Sequence, residues 1–411
     1  MQSHGAQQSR LPGVSRYLVA ATALVAVSYG MCRFGFGLTL PRISESLPVT
    51  ASLAGGASSL SFASYCGAAL IAGVLVSRSR GTAATVLAGL SGAAGAALIA
   101  TAGGNAQLLC GVTLAGAAPG FVSPSVAQAI AELARRSDGA AVAREPRWQA
   151  IANAGTGFGV FGAGVAALWL PWRLSWSIYG GLAAVSAIAA LVTERRARAM
   201  APKQASSESA SDSGAKRHRT FLAILPTVVL ALCMGAGSAV FWTFGRSHAE
   251  STAGLSNTAS LLLWCAVGAA GVAGALSGDL SQRLGFQRAW GLASVVLALS
   301  IGGVAASPPL LPPTGTTFVT LGLLFGASYV VLCGLQITGA ALAWPESLGA
   351  GTAITFTAIA AGQAVGAASA GLVIDAAGST VAFVCGALVC AAGGVAALLM
   401  PFGRRRATLY P

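Results

Sequence analysis

Charge is scarce in this chain: only 9% of its 411 residues are Asp, Glu, Lys or Arg. A soluble protein carries about 25%, so the composition argues against water as the main solvent of the fold. Acids are the scarcest, with 11 Asp and Glu against 24 Lys and Arg. The three histidines (His4, His218 and His248) are read as lying in tails or loops. That leaves no mid-membrane His or acid cluster for hydrolysis. No Gly-Lys-Ser/Thr loop for phosphates is present, and hence no built-in ATP drive. The eight cysteines all fall inside apolar runs, which argues against a disulfide framework or a zinc site and for small apolar helix residues. No enzyme, metal or cofactor is expected. The first apolar run is too long for a cleavable signal and lacks a small-residue cleavage site.

Apolar length is what the chain has in abundance. Hydrophobic residues make up 55% of it. Twelve runs reach the roughly 20 residues that cross a bilayer as a helix: 17–40, 53–76, 82–103, 107–131, 148–171, 174–193, 220–245, 257–280, 286–307, 317–343, 352–374 and 380–401. Membrane barrels alternate apolar and polar residues over about ten positions. These runs are continuous and twice that length, so the expected fold is an all-α membrane protein. Glycine, with 54 copies, suits close helix packing in lipid through faces such as Gly92, Gly155, Gly159 and Gly366.

The net charge of +13 does not point to nucleic acid, because its distribution is one-sided. Arg42, Arg173 and Arg246 are the only cations assigned to loops on one side, and Arg33 lies inside a run. Every other Lys and Arg falls on the other side, which the positive-inside rule makes cytoplasmic, together with both termini. The expected organisation is a tail (1–16), six helices (17–193), a Ser-rich charged linker (194–219), six more helices (220–402) and a tail (403–411). The linker reads as flexible, with anionic lipid as one possible contact. A shift of 205 residues aligns Gly30 with Gly235, Glu45 with Glu250, and Gly73, Ser77 and Arg78 with Gly278, Gln282 and Arg283. A shift of 207 aligns Gly155, Gly159 and Gly164 with Gly362, Gly366 and Gly371. The halves are read as a duplication with a cavity between them, as in secondary transporters.

These features resemble the major facilitator superfamily over essentially the whole chain. The family carries G-x-x-x-D-R-x-G between its second and third helices, often repeated between the eighth and ninth. GDLSQRLG at 278–285 matches with Gln282 in the aspartate's place, and GVLVSRSRG from Gly73 has Ser77 there. The resemblance implies gating roles for Gly73, Arg78, Gly278, Asp279, Arg283 and Gly285, but without the usual aspartate lock. Gly30, Arg33, Phe34 and Pro41, with Gly362, Gln363, Gly366, Gly371, Asp375 and Gly378, resemble the YbfB/YjiJ-like branch. That branch implies transport by alternating access in a bacterial inner membrane and fixes no substrate.

Arg33 is the residue the composition least accommodates. It is placed about 10 Å below the outer end of its helix, where an arginine costs about 2.5–3.5 kcal/mol on insertion scales. Its side chain leans toward the helix start, deeper into the membrane, so a cavity-facing position is the natural one. None of the 11 carboxylates is placed at its depth. An unpaired guanidinium suits a carboxylate or phosphate; the competing reading is that Arg33 holds backbone or hydroxyl oxygens and fixes packing. Tyr29 lies one turn earlier on the same face. Gln128, Trp242, Thr243, Tyr329, Gln336 and Gln363 lie on helices that face the cavity in the superfamily, and each also suits plain helix packing. Proton coupling follows from kinship alone, with Asp279, Asp375 and Glu132 as candidates at helix edges. Pro119 and Pro124 are expected to bend the fourth helix.

The expected activity is secondary transport of a small organic solute, an anion before a cation, by rocking of the two halves around a central site. Protons and the bilayer are the other expected partners, and the expected working unit is a monomer. A proton-driven drug exporter is the first rival, although helix 5 (152–164) lacks the exporters' Gly-Pro and helix 4 lacks an arginine. The second rival is a sensor or scaffold that binds without transport.

Overall fold

The computed structural model describes residues 12–137, 139–200, 214–308, 310–344 and 348–400. Twelve described helices are long and apolar enough to cross a membrane. They are α1 (Gly13–Ser46), α2 (Ala51–Ser77), α3 (Gly81–Ala100), α4 (Asn105–Ser137), α5 (Arg144–Ala167) and α6 (Trp172–Met200) in the first bundle. The second bundle holds α7 (Ala223–Ser251), α8 (Asn257–Gly274), α9 (Phe286–Ala305), α10 (Gly315–Ala343), α11 (Ala350–Ala377) and α12 (Ser379–Leu399). An even number of crossings returns the chain to its starting side. We call that side the terminal face and the other the distal face.

Several helices outrun their apolar cores. Helix α6 continues through Glu194 to Met200, where the linker was expected to begin, because Arg198 pairs with Glu194 one turn back and with Glu132 of α4 at 2.8 Å. The remainder of the expected linker, 201–213, and the tails 1–11 and 401–411 lie outside the described residues. Helix α1 runs past Pro41 to Ser46, so Arg33 lies about 20 Å from the distal end rather than 10 Å. Helix α4 continues through Pro119 and Pro124.

The duplication is visible in the packing. In the first bundle, Gly155 and Gly159 of α5 sit against the carbonyls of Thr22 and Ala26 on α1. In the second, Gly362 and Gly366 of α11 sit against the carbonyls of Leu232 and Ala236 on α7. Any Cβ at these points would overlap backbone, so glycine sets the approach in both copies.

Core packing joins the bundles toward the distal face, and the terminal part of the first bundle packs around a second core. One apolar core runs from Leu38, Leu40 and Ile43 through Phe241 and Trp264 to Phe325. The terminal part of the first bundle has its own core, including Tyr17, Leu24, Ala88, Ile130 and Leu133. At the distal seam Gly37 of α1 abuts the Trp242 carbonyl of α7, and Gly371 of α11 abuts the Ala51 carbonyl of α2.

Candidate functional site

Near its middle α1 changes winding. Between Ala26 and Arg33 its turns are wide, and the Phe34 N–H donates to the Tyr29 carbonyl five residues back at 3.2 Å. Such π-turns insert a residue into the helical register and recur at functional sites. Here the turn sets Arg33 at the junction of the two bundles.

The Arg33 side chain is 7% exposed. Its Nη2 donates to Gln363 Oε1 of α11 at 2.7 Å. Four rings surround the guanidinium, with centroids at 4.2 Å (Tyr65), 5.0 Å (Phe62), 5.6 Å (Phe34) and 5.7 Å (Tyr29). Among the described residues its Nε has no hydrogen-bond partner and no carboxylate lies within ion-pair reach of it. Desolvating an ion costs several kcal/mol, and a ring face returns about 0.5–2 kcal/mol. One neutral hydrogen bond and a ring cage therefore leave a cation that still lacks an anion.

The neighbours form one network. Gln363 Nε2 donates to Tyr329 Oη of α10 at 3.2 Å. Trp242 of α7 stacks on Phe34 at 3.9 Å and meets Tyr329 edge-on at 5.2 Å. Its Nε1 is buried without a partner among the described residues. Tyr29 Oη bonds Tyr65 Oη at 3.1 Å and contacts Ser123 Oγ of α4. Thus Arg33, Tyr29, Trp242, Tyr329 and Gln363 meet, as a shared site requires. The two stretches that carried the branch resemblance touch each other here, through residues 330 positions apart.

Three candidates lie elsewhere. Gln128 sits near the terminal face and donates to the Val76 carbonyl at 3.3 Å. Gln336 is buried beside Met234 Sδ, at 3.8 Å, with its Oε1 unpartnered. Thr243 is buried at the distal seam with an unpartnered hydroxyl. Sequence reasoning missed Phe62, Tyr65 and Ser123. Their only advance signal was the i, i+3 spacing of two aromatics on α2, which packing explains equally well.

The loop-motif residues make no seam among the described residues. Gly73, Arg78, Gly278, Asp279 and Arg283 are exposed. Gly285 has φ 80° and ends the short helix Ser277–Leu284, a left-handed position that favours glycine. Of the acid candidates, Glu132 pairs with Arg136 at 2.6 Å and Arg198 at 2.8 Å. Asp279 has no bonded partner among the described residues. Asp375 of α11 accepts from the backbone N–H groups of Ala51 (3.2 Å) and Ser52 (2.8 Å), capping α2 across the seam. It is a structural cap rather than a freely solvated charge.

The loop assignments of Arg42, Arg173, Arg246, His218 and His248 are corrected: Arg42 lies inside α1, Arg173 inside α6 and His218 in the helix Gly214–Ser251 that includes α7. Arg246 and His248 lie inside α7 and are each 1% exposed. Arg246 donates to the Leu38 carbonyl of α1 and to Asn257 Oδ1, and pairs with Glu250 at 2.9 Å. His248 Nδ1 meets Ser379 Oγ at 2.8 Å, and Nε2 meets the Val304 carbonyl at 3.1 Å. His248 is satisfied by distant elements, and Arg246 by Leu38 and Asn257 together with Glu250 one turn on, partners that hydropathy alone does not register. Arg42 of α1 contacts Glu45 and reaches Glu250 of α7 at 2.6 Å. The repeat-related pair Glu45 and Glu250 therefore share one arginine across the bundles. Arg173 donates to the carbonyls of Ala100 and Ala102, each at 2.9 Å, closing the end of α3.

Solved structures share this architecture. A peptide transporter POT superposes with a TM-score of 0.73 at 16% identity, covering 94% of each chain. The nucleoside transporter NupG gives 0.69 at 12% identity, covering 94% of this chain and 98% of its own. A POT family transporter in complex with 5-aminolevulinic acid gives 0.72 at 12% identity, covering 94% and 96%. No curated protein matches by sequence. The family described as Major Facilitator Superfamily matches residues 22–357. With twelve spans in two bundles and that match, the chain belongs to the Major Facilitator Superfamily and is a membrane transporter, not an enzyme.

Proposed function

We propose that this transporter moves a small organic anion by alternating access, and that Arg33 holds the anionic group. The observation that carries the reading is the guanidinium itself: buried at the junction of the bundles, without a carboxylate among the described residues, and with Nε unbonded. A carboxylate or phosphate takes two parallel N–H donors from such a fork. Engaging Nη2 in this way displaces Gln363, which belongs to the other bundle and is held by Tyr329. Substrate binding and bundle contact then compete for one donor, which links occupancy to rocking.

The seam is closed at the distal face by Arg42, Arg246, Glu250 and Asp375. We assign the terminal face to the cytoplasm from its excess of Lys and Arg, so the described state is inward-facing in a bacterial inner membrane. Proton coupling falls to Asp375 in this reading, because protonation removes acceptors from the cap that joins α11 to α2. Glu132 is held by two arginines, and Asp279 touches nothing across the seam. We also place the chain in the YbfB/YjiJ-like branch, a reading that the Arg33–Gln363 contact supports by uniting its two motifs. Each chain is proposed to work as a monomer.

The experiment is flux into proteoliposomes against labelled organic acids, amines and neutral dyes, with and without a pH gradient. Saturable acid flux that responds to the gradient is the expected result. Flux of amines or dyes alone supports the exporter reading, and ligand binding without flux supports a sensor.

A further inference from the structure

The loop motif at Gly73 leaves two cations that the transport reading does not use. Arg78 and Arg80 flank the turn between α2 and α3. Both are exposed, and neither has a side-chain hydrogen bond or ion pair among the described residues. The turn is tightly held. Ser79 has φ 59°, its N–H donates to the Val76 carbonyl at 2.9 Å, and the Arg80 N–H donates to the Leu75 carbonyl at 2.7 Å. Ser77 stands where the family motif has its aspartate, so the turn contains no acid.

Above these arginines the first bundle is split. Helices α2 and α3 each pack along α4 but touch each other little. The cleft between them has a volume of about 540 Å³, walled by Gly67 and Ile71 of α2 and Leu87 and Leu90 of α3, and floored by Ala117 and Phe121 of α4. Leu90 is 61% and Ile71 52% exposed, so the cleft opens on the outer surface of the bundle, where a membrane protein meets hydrocarbon. The hydroxyls of Ser64 and Ser91 beside it are satisfied by backbone carbonyls.

Cleft and cations share a helical register. Gly67, Ile71, Val74 and Arg78 succeed one another by four, three and four residues, which is one stripe of α2. Arg80 precedes Leu87 by seven residues, two turns along α3. Both guanidinium groups therefore start about 10 Å from the nearest cleft residues, on the side toward the terminal face. A diacyl lipid has this division, with a phosphate at the interface and a chain running inward from it.

We infer that the α2–α3 cleft binds one anionic phospholipid, its phosphate held by Arg78 and Arg80 and an acyl chain lying between Ile71 and Leu90. Two charge-assisted contacts give the preference for net negative charge, and the cleft distinguishes this lipid from one attracted to the surface in general. The occupant is bilayer lipid rather than free phosphate, because the apolar volume has no role in binding phosphate alone.

The test is native mass spectrometry of the full chain in detergent with equal phosphatidylglycerol and phosphatidylcholine. Wild type should retain phosphatidylglycerol preferentially. The double change Arg78→Gln with Arg80→Gln should reduce that preference about thirtyfold, at roughly 1 kcal/mol per cation, and Arg78→Lys with Arg80→Lys should keep most of it. Gly67→Leu, at a position with open space around its Cβ, should lower retention several-fold while leaving the thermal midpoint unchanged. Inorganic phosphate alone should not displace the lipid. Equal retention of both lipids by wild type, an unchanged preference in the Gln variant, full retention in Gly67→Leu or displacement by phosphate would each overturn the site.

Discussion

At the scale of single residues the account turns on what Arg33 lacks. Gln363→Glu supplies a carboxylate where Nη2 now finds an amide oxygen. We predict an unchanged or higher thermal midpoint together with at least a tenfold loss of anion affinity, measured by titration of the purified protein. A packing role for Arg33 predicts the same stability with affinity intact. Arg33→Lys keeps the charge but loses the fork, and about a tenfold weaker affinity is expected. Arg246 is a different kind of cation. It is 1% exposed and paired, so Arg246→Leu should destabilise the protein by about 3 kcal/mol through the partners it strands, read from thermal unfolding in detergent. Arg33 was legible as an anomaly because charge inside an apolar run stands out in any hydropathy reading. Arg246 was not, because its partners Leu38, Asn257 and Ser260 lie on elements whose meeting no local window reports.

At the scale of elements, the twelve spans were legible because lipid demands apolar length and enforces it nearly everywhere. Their ends were not. Helix α1 passes Pro41, because a membrane helix tolerates an interior proline where neighbouring groups take up the freed backbone, and α6 passes Glu194, because ion pairs extend a helix beyond its apolar stretch. The π-turn at Ala26–Arg33 left no trace but Gly30, because its cause is the fit of α1 against α5 rather than a residue preference. Asp375 likewise became a cap only when α11 met α2. The distal seam is the element most open to perturbation. In Gly37→Val the added side chain meets the Trp242 carbonyl. Spin labels on exposed Gly103 and Leu310 should then report a wider distal distance, and an unchanged distance would show that the seam tolerates the wedge.

At the scale of the whole molecule, the bundles share one core toward the distal face, and the terminal part of the first bundle has a core of its own. The duplication was legible in glycine spacing, and it reappears as matched contacts of α5 on α1 and α11 on α7. The distal latch was not legible, because Arg42, Glu45, Glu250 and Asp375 come from three helices far apart in the chain. Replacing Arg42 by Gln together with Asp375→Asn should shift the population toward a distal-open state, seen as a broadened distribution between the same two labels. The most direct measurement is uptake by proteoliposomes of matched solutes that differ only in carrying a carboxylate, an amide or an amine, compared in wild type and Gln363→Glu. The account predicts that wild type carries the carboxylate alone and that Gln363→Glu loses it while remaining folded. Equal transport of all three, or carboxylate transport that survives Gln363→Glu, would contradict it.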